Sequence, residues 1–121
     1  MYTYSQSTGR LTDSHGKLVA KGYSGHGMGK NNHGMQGIKQ VGPIPCGLWR
    51  MTHMGPSDNV GPYAITLVPE QGTETFGRSL FRIHGDSVSD PGNASHGCII
   101  INRLARIGIW ESGDRVLQVV P

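Results

Sequence analysis

Glycine limits this chain more than any other residue: 19 of its 121 residues are glycine, roughly 16% where about 7% is usual. No Gly-X-Y period accompanies them, and Val, Ile, Leu and aromatic residues recur throughout, so neither a collagen helix nor a disordered chain is implied. Glycine placed between short apolar runs instead punctuates tight turns and bares backbone where another group must approach closely. The expected fold is therefore mostly β, built from short strands, in a single domain over residues 1–121. A chain of this length can bury roughly two-thirds of its unfolded surface around one core.

Alternation and turn residues place the strands. Tyr2 and Tyr4 alternate before the turn Ser7-Thr8-Gly9, then 10–12 and 17–20 form further strands around the turn 13–16. These read as an antiparallel meander. Leu48 to Met51 starts a strand and 52–61 reads as a loop. Residues 62–68 are apolar enough to be central, and 79–85 forms a strand ending near His84. Residues 116–120 close the sheet. One helix is expected over 103–112, with Asn102 as N-cap, Leu104, Ile107 and Trp110 on one stripe, and Gly113 as terminator.

The chemistry concentrates in 81–102, FRIHGDSVSDPGNASHGCIIIN. Cys98 directly follows Ser95-His96-Gly97, and a second His-Gly pair, His84-Gly85, precedes it across a loop rich in Ser, Asp, Gly and Pro. Two strands joined by such a loop can bring a His and a Cys together, and a thiol needs a neighbour of that kind to act as a nucleophile. Cys98 is then the candidate nucleophile, and the backbone N–H groups of Gly97 and Cys98 are candidate oxyanion donors. Either His84 or His96 fits as base, because residues two apart on an extended segment share a face. The opposing reading is a buried Cys beside a satisfied core His.

The segment 22–37, GYSGHGMGKNNHGMQG, has neither helical nor strand period and reads as a loop forming one wall of a cleft. It is not a phosphate-binding loop, since Ser24 stands where the first Gly belongs and Asn31 follows Lys30. His26, Met28, His33 and Met35 could offer a soft-metal site, which gives a competing reading as a non-catalytic Cys/His metal-binding module. No pair shows zinc-ligand spacing, so neither metal nor cofactor is called for. Cys46, between Pro45 and Gly47, reads as a spectator, although a Cys46–Cys98 bridge is sterically open to the sequence. A net charge of +3 with no dense Lys/Arg run suits a small anionic partner and argues against nucleic acid. No stretch is apolar enough for membrane insertion, and the first residues carry no secretory signal.

His-Gly, a loop, then Ser-His-Gly-Cys and apolar residues resembles the catalytic motif of the L,D-transpeptidase (YkuD-type) domain. Ile44-Pro45-Cys46-Gly47-Leu48-Trp49 is similar to that family's Thr-Pro-x-Gly-x-Phe segment. Over nearly its full length the chain resembles the compact type VI secretion L,D-transpeptidase effectors. The matching stretches are 22–27, 41–47, Phe76-Gly77-Arg78-Ser79, 83–86, 97–100 and 116–121. The resemblance implies a β-sandwich-like domain acting on peptidoglycan tetrapeptide stems, with Cys98 attacking the diaminopimelate carbonyl and expelling terminal D-alanine. Water would resolve the thioester (L,D-carboxypeptidase) or a D-amino acid would (exchange); a Cys-His amidase cutting elsewhere in the stem is the near alternative. It makes His84 the base and His96 a supporting residue, with Tyr23, Ser24, Gly85 and Ser95 lining the site and Arg78 or Arg103 meeting substrate carboxylates. It also implies export without a signal peptide by a secretion apparatus, action in a target bacterium's periplasm, and a cognate immunity protein as partner. One position departs from the pattern: Ile100 stands where typical transpeptidases carry Arg or Asn.

Overall fold

A computed structural model describes residues 1–57 and 61–121. The strands are β1 (Tyr2–Ser5), β2 (Arg10–Thr12), β3 (Leu18–Lys21), β4 (Tyr23–Ser24), β5 (Gly47–Ser57), β6 (Gly61–Pro69), β7 (Arg82–His84), β8 (Ile99–Ile100) and β9 (Val116–Val120). One helix, α1 (Arg103–Glu111), precedes β9, and two 3₁₀ turns, Gly27–Gly29 and His33–Met35, lie in the glycine-dense loop. The fold is mostly β with one short helix, as its composition and alternation imply.

The nine strands among the described residues join one mixed sheet in the order β3-β2-β1-β9-β5-β6-β7-β8-β4. Its outermost strands, β3 and β4, are consecutive in the chain and separated only by Gly22. A flat sheet could not have its two edges one residue apart, so this sheet curls until they meet. Gly22 makes that closure feasible. A Cβ there would stand 1.6 Å from the Ile100 carbonyl oxygen, and its N–H donates to Gly9 O at 2.8 Å.

The core lies inside the curl. Trp49, Tyr4, Leu11, Ile44, Ile65, Ile83, Ile99 and Leu117 are fully enclosed, and Trp49 meets Phe81 edge-on at 5.0 Å. Period two explains which side chains enter: Leu117 and Val119 of β9 are buried while their neighbours are half-exposed. Along β5 and β6 the antiparallel register runs from Trp49↔Pro69 to Ser57↔Gly61.

Three sequence expectations change. β5 continues through Ser57, where a loop was expected from Thr52. Its pairing with β6 carries polar residues that composition alone assigns to a turn, and residues 58–60 of that expected loop lie outside the described residues. β7 is shorter than 79–85, covering only Arg82–His84. The helix begins as expected, with Asn102 accepting from Ala105 N at 2.8 Å, but its inner face differs. Ile109 and Arg106 are buried and Leu104 is 82% exposed. The helix packs against β6 and β7 through Arg106, which donates to Pro62 O at 2.9 Å and Tyr63 O at 3.1 Å, so an apolar-stripe argument misplaces that face.

Two substitutions should move stability in opposite directions in urea or thermal unfolding. Gly22→Ala forces backbone against backbone and should cost about 3 kcal/mol or more. The Tyr4 hydroxyl sits in the core without a hydrogen-bond partner among the described residues, so Tyr4→Phe should stabilise by about 1 kcal/mol.

Candidate active site

The pairing of β7 with β8 builds the site. They are parallel neighbours, with Ile83 opposite Ile99 and His84 opposite Ile100. Ile83 and Ile99 point into the core, so alternation sends residues 82, 84, 98 and 100 to the other face. Cys98 is one residue before Ile99 and His84 one after Ile83. That diagonal puts their α-carbons on the order of 8 Å apart. Both side chains line one cleft of about 490 Å³, together with Lys39, Arg78, Leu80 and Arg82. No hydrogen bond joins the two; the Cys98 Sγ–H donates to the Leu80 carbonyl at 3.7 Å.

The tautomer of His84 follows from its partner. Nδ1 lies 2.9 Å from the Gly85 carbonyl, which can only accept, so Nδ1 carries the proton and Nε2 holds the lone pair. Only 3% of His84 is exposed. Burial lowers its pKa below the ordinary 6.5, with Arg106 and Arg82 adding to the effect against the Gly85 carbonyl and Asp86. Burial likewise raises the Cys98 thiol above its ordinary 9.0, opposed by the Arg82 N–H and the charges of Arg82 and Arg78. At neutral pH the resting pair is thus a thiol and a neutral imidazole, suited to general-base proton transfer rather than to a standing ion pair.

Ser95 shapes the turn before Cys98. Fully buried, its Oγ donates to Cys98 O at 2.6 Å and accepts from Gly97 N at 3.1 Å and Gly25 N at 2.9 Å. The Gly97 N–H is therefore already committed. Of the two amides expected to face an oxyanion, only that of Cys98 lacks an acceptor among the described residues. Gly97 has φ +140°, and a Cβ there would come within 2.6 Å of Arg78 Nη2.

Arg78 is not positioned as a carboxylate receptor. Its guanidinium donates to the carbonyls of Gln36, Gly42, Pro43 and His96 at 2.5–3.2 Å. It fastens the 36–43 segment to the turn carrying Cys98. Arg103 lies outside the cleft, 4.7 Å over the Tyr63 ring. Tyr23 and Ser24 also support the site without lining it. The Tyr23 hydroxyl donates to Asp86 Oδ1 at 2.6 Å and accepts from Ala94 N at 2.9 Å. Ser24 Oγ donates to Gly97 O and accepts from Ile44 N, both at 2.9 Å. Gly85 borders a second hollow of about 390 Å³ with His84, Asp86, Ser87, Asp90 and Asn93.

His96 is exposed at the cleft edge, with Nδ1 donating to Gln40 O at 3.1 Å and its ring 5.0 Å from that of His26. His33 turns elsewhere, its Nδ1 3.8 Å from Cys46 Sγ and 2.6 Å from Gln6 Oε1. The loop histidines thus separate, and among the described residues no three His, Cys, Asp or Glu side chains converge as a metal-ligand group. Both cysteines are free thiols. Sequence reasoning missed Arg82, Lys39 and Arg106. Arg82 was accessible to it, because two residues before His84 on a strand means the same face.

Among known families, the model described as the Tlde1 domain matches residues 19–119. No curated protein matches the chain.

Two measurements test this arrangement. Alkylation of Cys98 by iodoacetamide should accelerate about tenfold per pH unit from 7 to 9 with no plateau, because a raised thiol pKa keeps the thiolate fraction growing past the ordinary value. Arg78→Lys, which cannot fork across four carbonyls, should cost about 2–4 kcal/mol of stability, whereas Arg103→Lys should change it by less than about 0.5 kcal/mol.

Proposed function

The chain belongs to the Tlde1 domain family, the type VI L,D-transpeptidase effectors, and from that premise we propose a cysteine enzyme that cleaves or exchanges the terminal D-alanine of peptidoglycan tetrapeptide stems. The family carries L,D-transpeptidase-like activity with peptidoglycan as substrate; the roles of individual residues and the bond cut are our reading. The observation that carries it is one cleft receiving both the Cys98 sulfur and the His84 imidazole, whose Nδ1 is held by Gly85 O so that Nε2 is the basic nitrogen.

Cys98 Sγ attacks the carbonyl between diaminopimelate and D-alanine while His84 Nε2 takes the thiol proton. The carbonyl oxygen gains the negative charge, and the Cys98 N–H, which has no acceptor among the described residues, is our candidate donor to it. As the intermediate collapses, the C–N bond breaks and His84 returns the proton to the departing amine, leaving a thioester on Cys98. Water then releases the tripeptide, or the amine of a D-amino acid replaces D-alanine. The Arg78 and Arg82 charges favour the sulfur anion as it forms. His96 serves as a wall, since its own Nδ1 is tied to Gln40 O.

We read residues 1–121 as one catalytic domain. β1 and β2 precede or border the family match, yet they share a sheet with the strands that carry the site. Delivery by a secretion apparatus into a target bacterium's periplasm, with a cognate immunity protein to protect the producer, completes the proposal. No helix among the described residues is long and apolar enough to cross a membrane.

The test is product analysis of purified tetrapeptide muropeptides by mass spectrometry. Cys98→Ala should lower D-alanine release by at least about 10³-fold, His84→Ala by about 10²–10⁴-fold, and His96→Ala by less than about tenfold. The acid limb of the wild-type rate profile should have its midpoint below the ordinary imidazole value of 6.5, because burial depresses the His84 pKa and keeps Nε2 unprotonated to lower pH. Equal turnover by wild type and Cys98→Ala would end the reading, and a cut elsewhere in the stem would make the protein an amidase instead.

A further inference from the structure

The cations around Cys98 are not equivalent. Arg78 is held by four carbonyls, Arg106 by three, and Arg103 lies on an aromatic ring outside the cleft. Arg82 differs from all three. It stands directly across the parallel ladder from Cys98, half-buried in the cleft wall. The ion pairs among the described residues are Met1–Asp114 and Arg50–Glu70, and the Arg82 guanidinium donates to no acceptor among the described residues. Lys39 lines the same cleft, its Cε 3.9 Å from where a Gly77 Cβ would stand. Among the described residues no Asp or Glu borders this cleft; Asp86 and Asp90 face the second hollow.

A partly desolvated guanidinium without an acceptor is unfavourable unless a ligand supplies one. We propose that Arg82 and Lys39 form a carboxylate-binding subsite beside Cys98, which receives the free α-carboxylate of the substrate's C-terminal residue. The identity of that substrate rests on the function proposed above; the subsite itself rests on the cleft. In a C-terminal residue the carboxylate carbon is two bonds from the scissile nitrogen, so it lies within roughly 4 Å of the carbonyl under attack. A cation one ladder position from the sulfur is placed for it, and the planar guanidinium can grip both oxygens. A peptide extended by another residue would present no charge there, which would restrict cleavage to chain ends. The same subsite would orient an incoming D-amino acid by its carboxylate, with its amine toward the thioester.

Two reagents of nearly equal size test this without peptidoglycan turnover: iodoacetate, which carries a carboxylate, and iodoacetamide, which does not. Each forms an S–C bond and expels iodide, the thiol proton going to solvent. Both need the thiolate, so any change in thiol ionisation cancels in their rate ratio. With Cys98 modification resolved from Cys46 by peptide mass spectrometry, the iodoacetate-to-iodoacetamide ratio should exceed that of free cysteine at least about tenfold. It should fall to within about twofold of free cysteine in Arg82→Gln, recover in part in Arg82→Lys, and stay unchanged in Arg103→Gln. D-Alanine should protect Cys98 from iodoacetate. If Arg82→Gln fails to fold, Lys39→Gln should lower the ratio in the same direction. A wild-type ratio equal to that of free cysteine, or one unmoved by both Arg82→Gln and Lys39→Gln, overturns the subsite even where tetrapeptide turnover stands. In the active enzyme, Arg82→Gln should lower the kcat/KM preference for the tetrapeptide over its C-terminal carboxamide about 10–100-fold, a ratio in which any effect of Arg82 on the sulfur cancels; loss of turnover in the wild type would instead count against the enzyme reading alone.

Discussion

The parallel pairing of β7 with β8 is the constraint from which the rest of the site follows. Parallel neighbours require a crossover, and residues 85–98 supply it by running out over the surface and back. Register then sets chemistry: with Ile83 opposite Ile99, their side chains enter the core and His84, Arg82 and Cys98 take the other face. A slip of one residue would send the thiol and the imidazole inward and two isoleucines into the cleft. The apolar run after Cys98 is therefore as important to the site as the thiol itself.

Around that ladder the chain uses buried polar groups in place of further secondary structure. Ser24, Ser95 and Arg78 each reach two or more backbone groups from segments far apart in sequence. Such groups are costly to bury unless satisfied, and here nearly every donor has its acceptor. The result is a turn before Cys98 held from three sides, with Gly97 leaving room for the guanidinium behind it. Orientation of the Cys98 thiol is thus a property of the loops, while its depth is a property of the sheet.

The electrostatics are asymmetric. Arginines and Lys39 gather on the Cys98 side of His84, and Asp86 and Asp90 on the other. Cations near the sulfur oppose the effect of burial on its ionisation, and the same cations suit an anionic substrate group. One distribution of charge therefore surrounds the Cys98 sulfur, with His84 at the boundary.

Much of this was present in the sequence. The meander, the central strands, the helix cap at Asn102 and the Cys98/His84 motifs all depend on local pattern, which is written residue by residue. The roles of Arg78, Tyr23, Ser24 and Gly97 were not legible, because a polar side chain shows its type in sequence but not its partner. Arg78 and Arg103 read alike as cations; only folding delivers one to four buried carbonyls and leaves the other over Tyr63. Likewise, that β3 and β4 form the two edges of one sheet could not be seen from Gly22 alone. Strand content and motif are local properties, whereas edge closure, hydrogen-bond partners and the placing of Arg82 beside Cys98 depend on which distant segments the fold brings together.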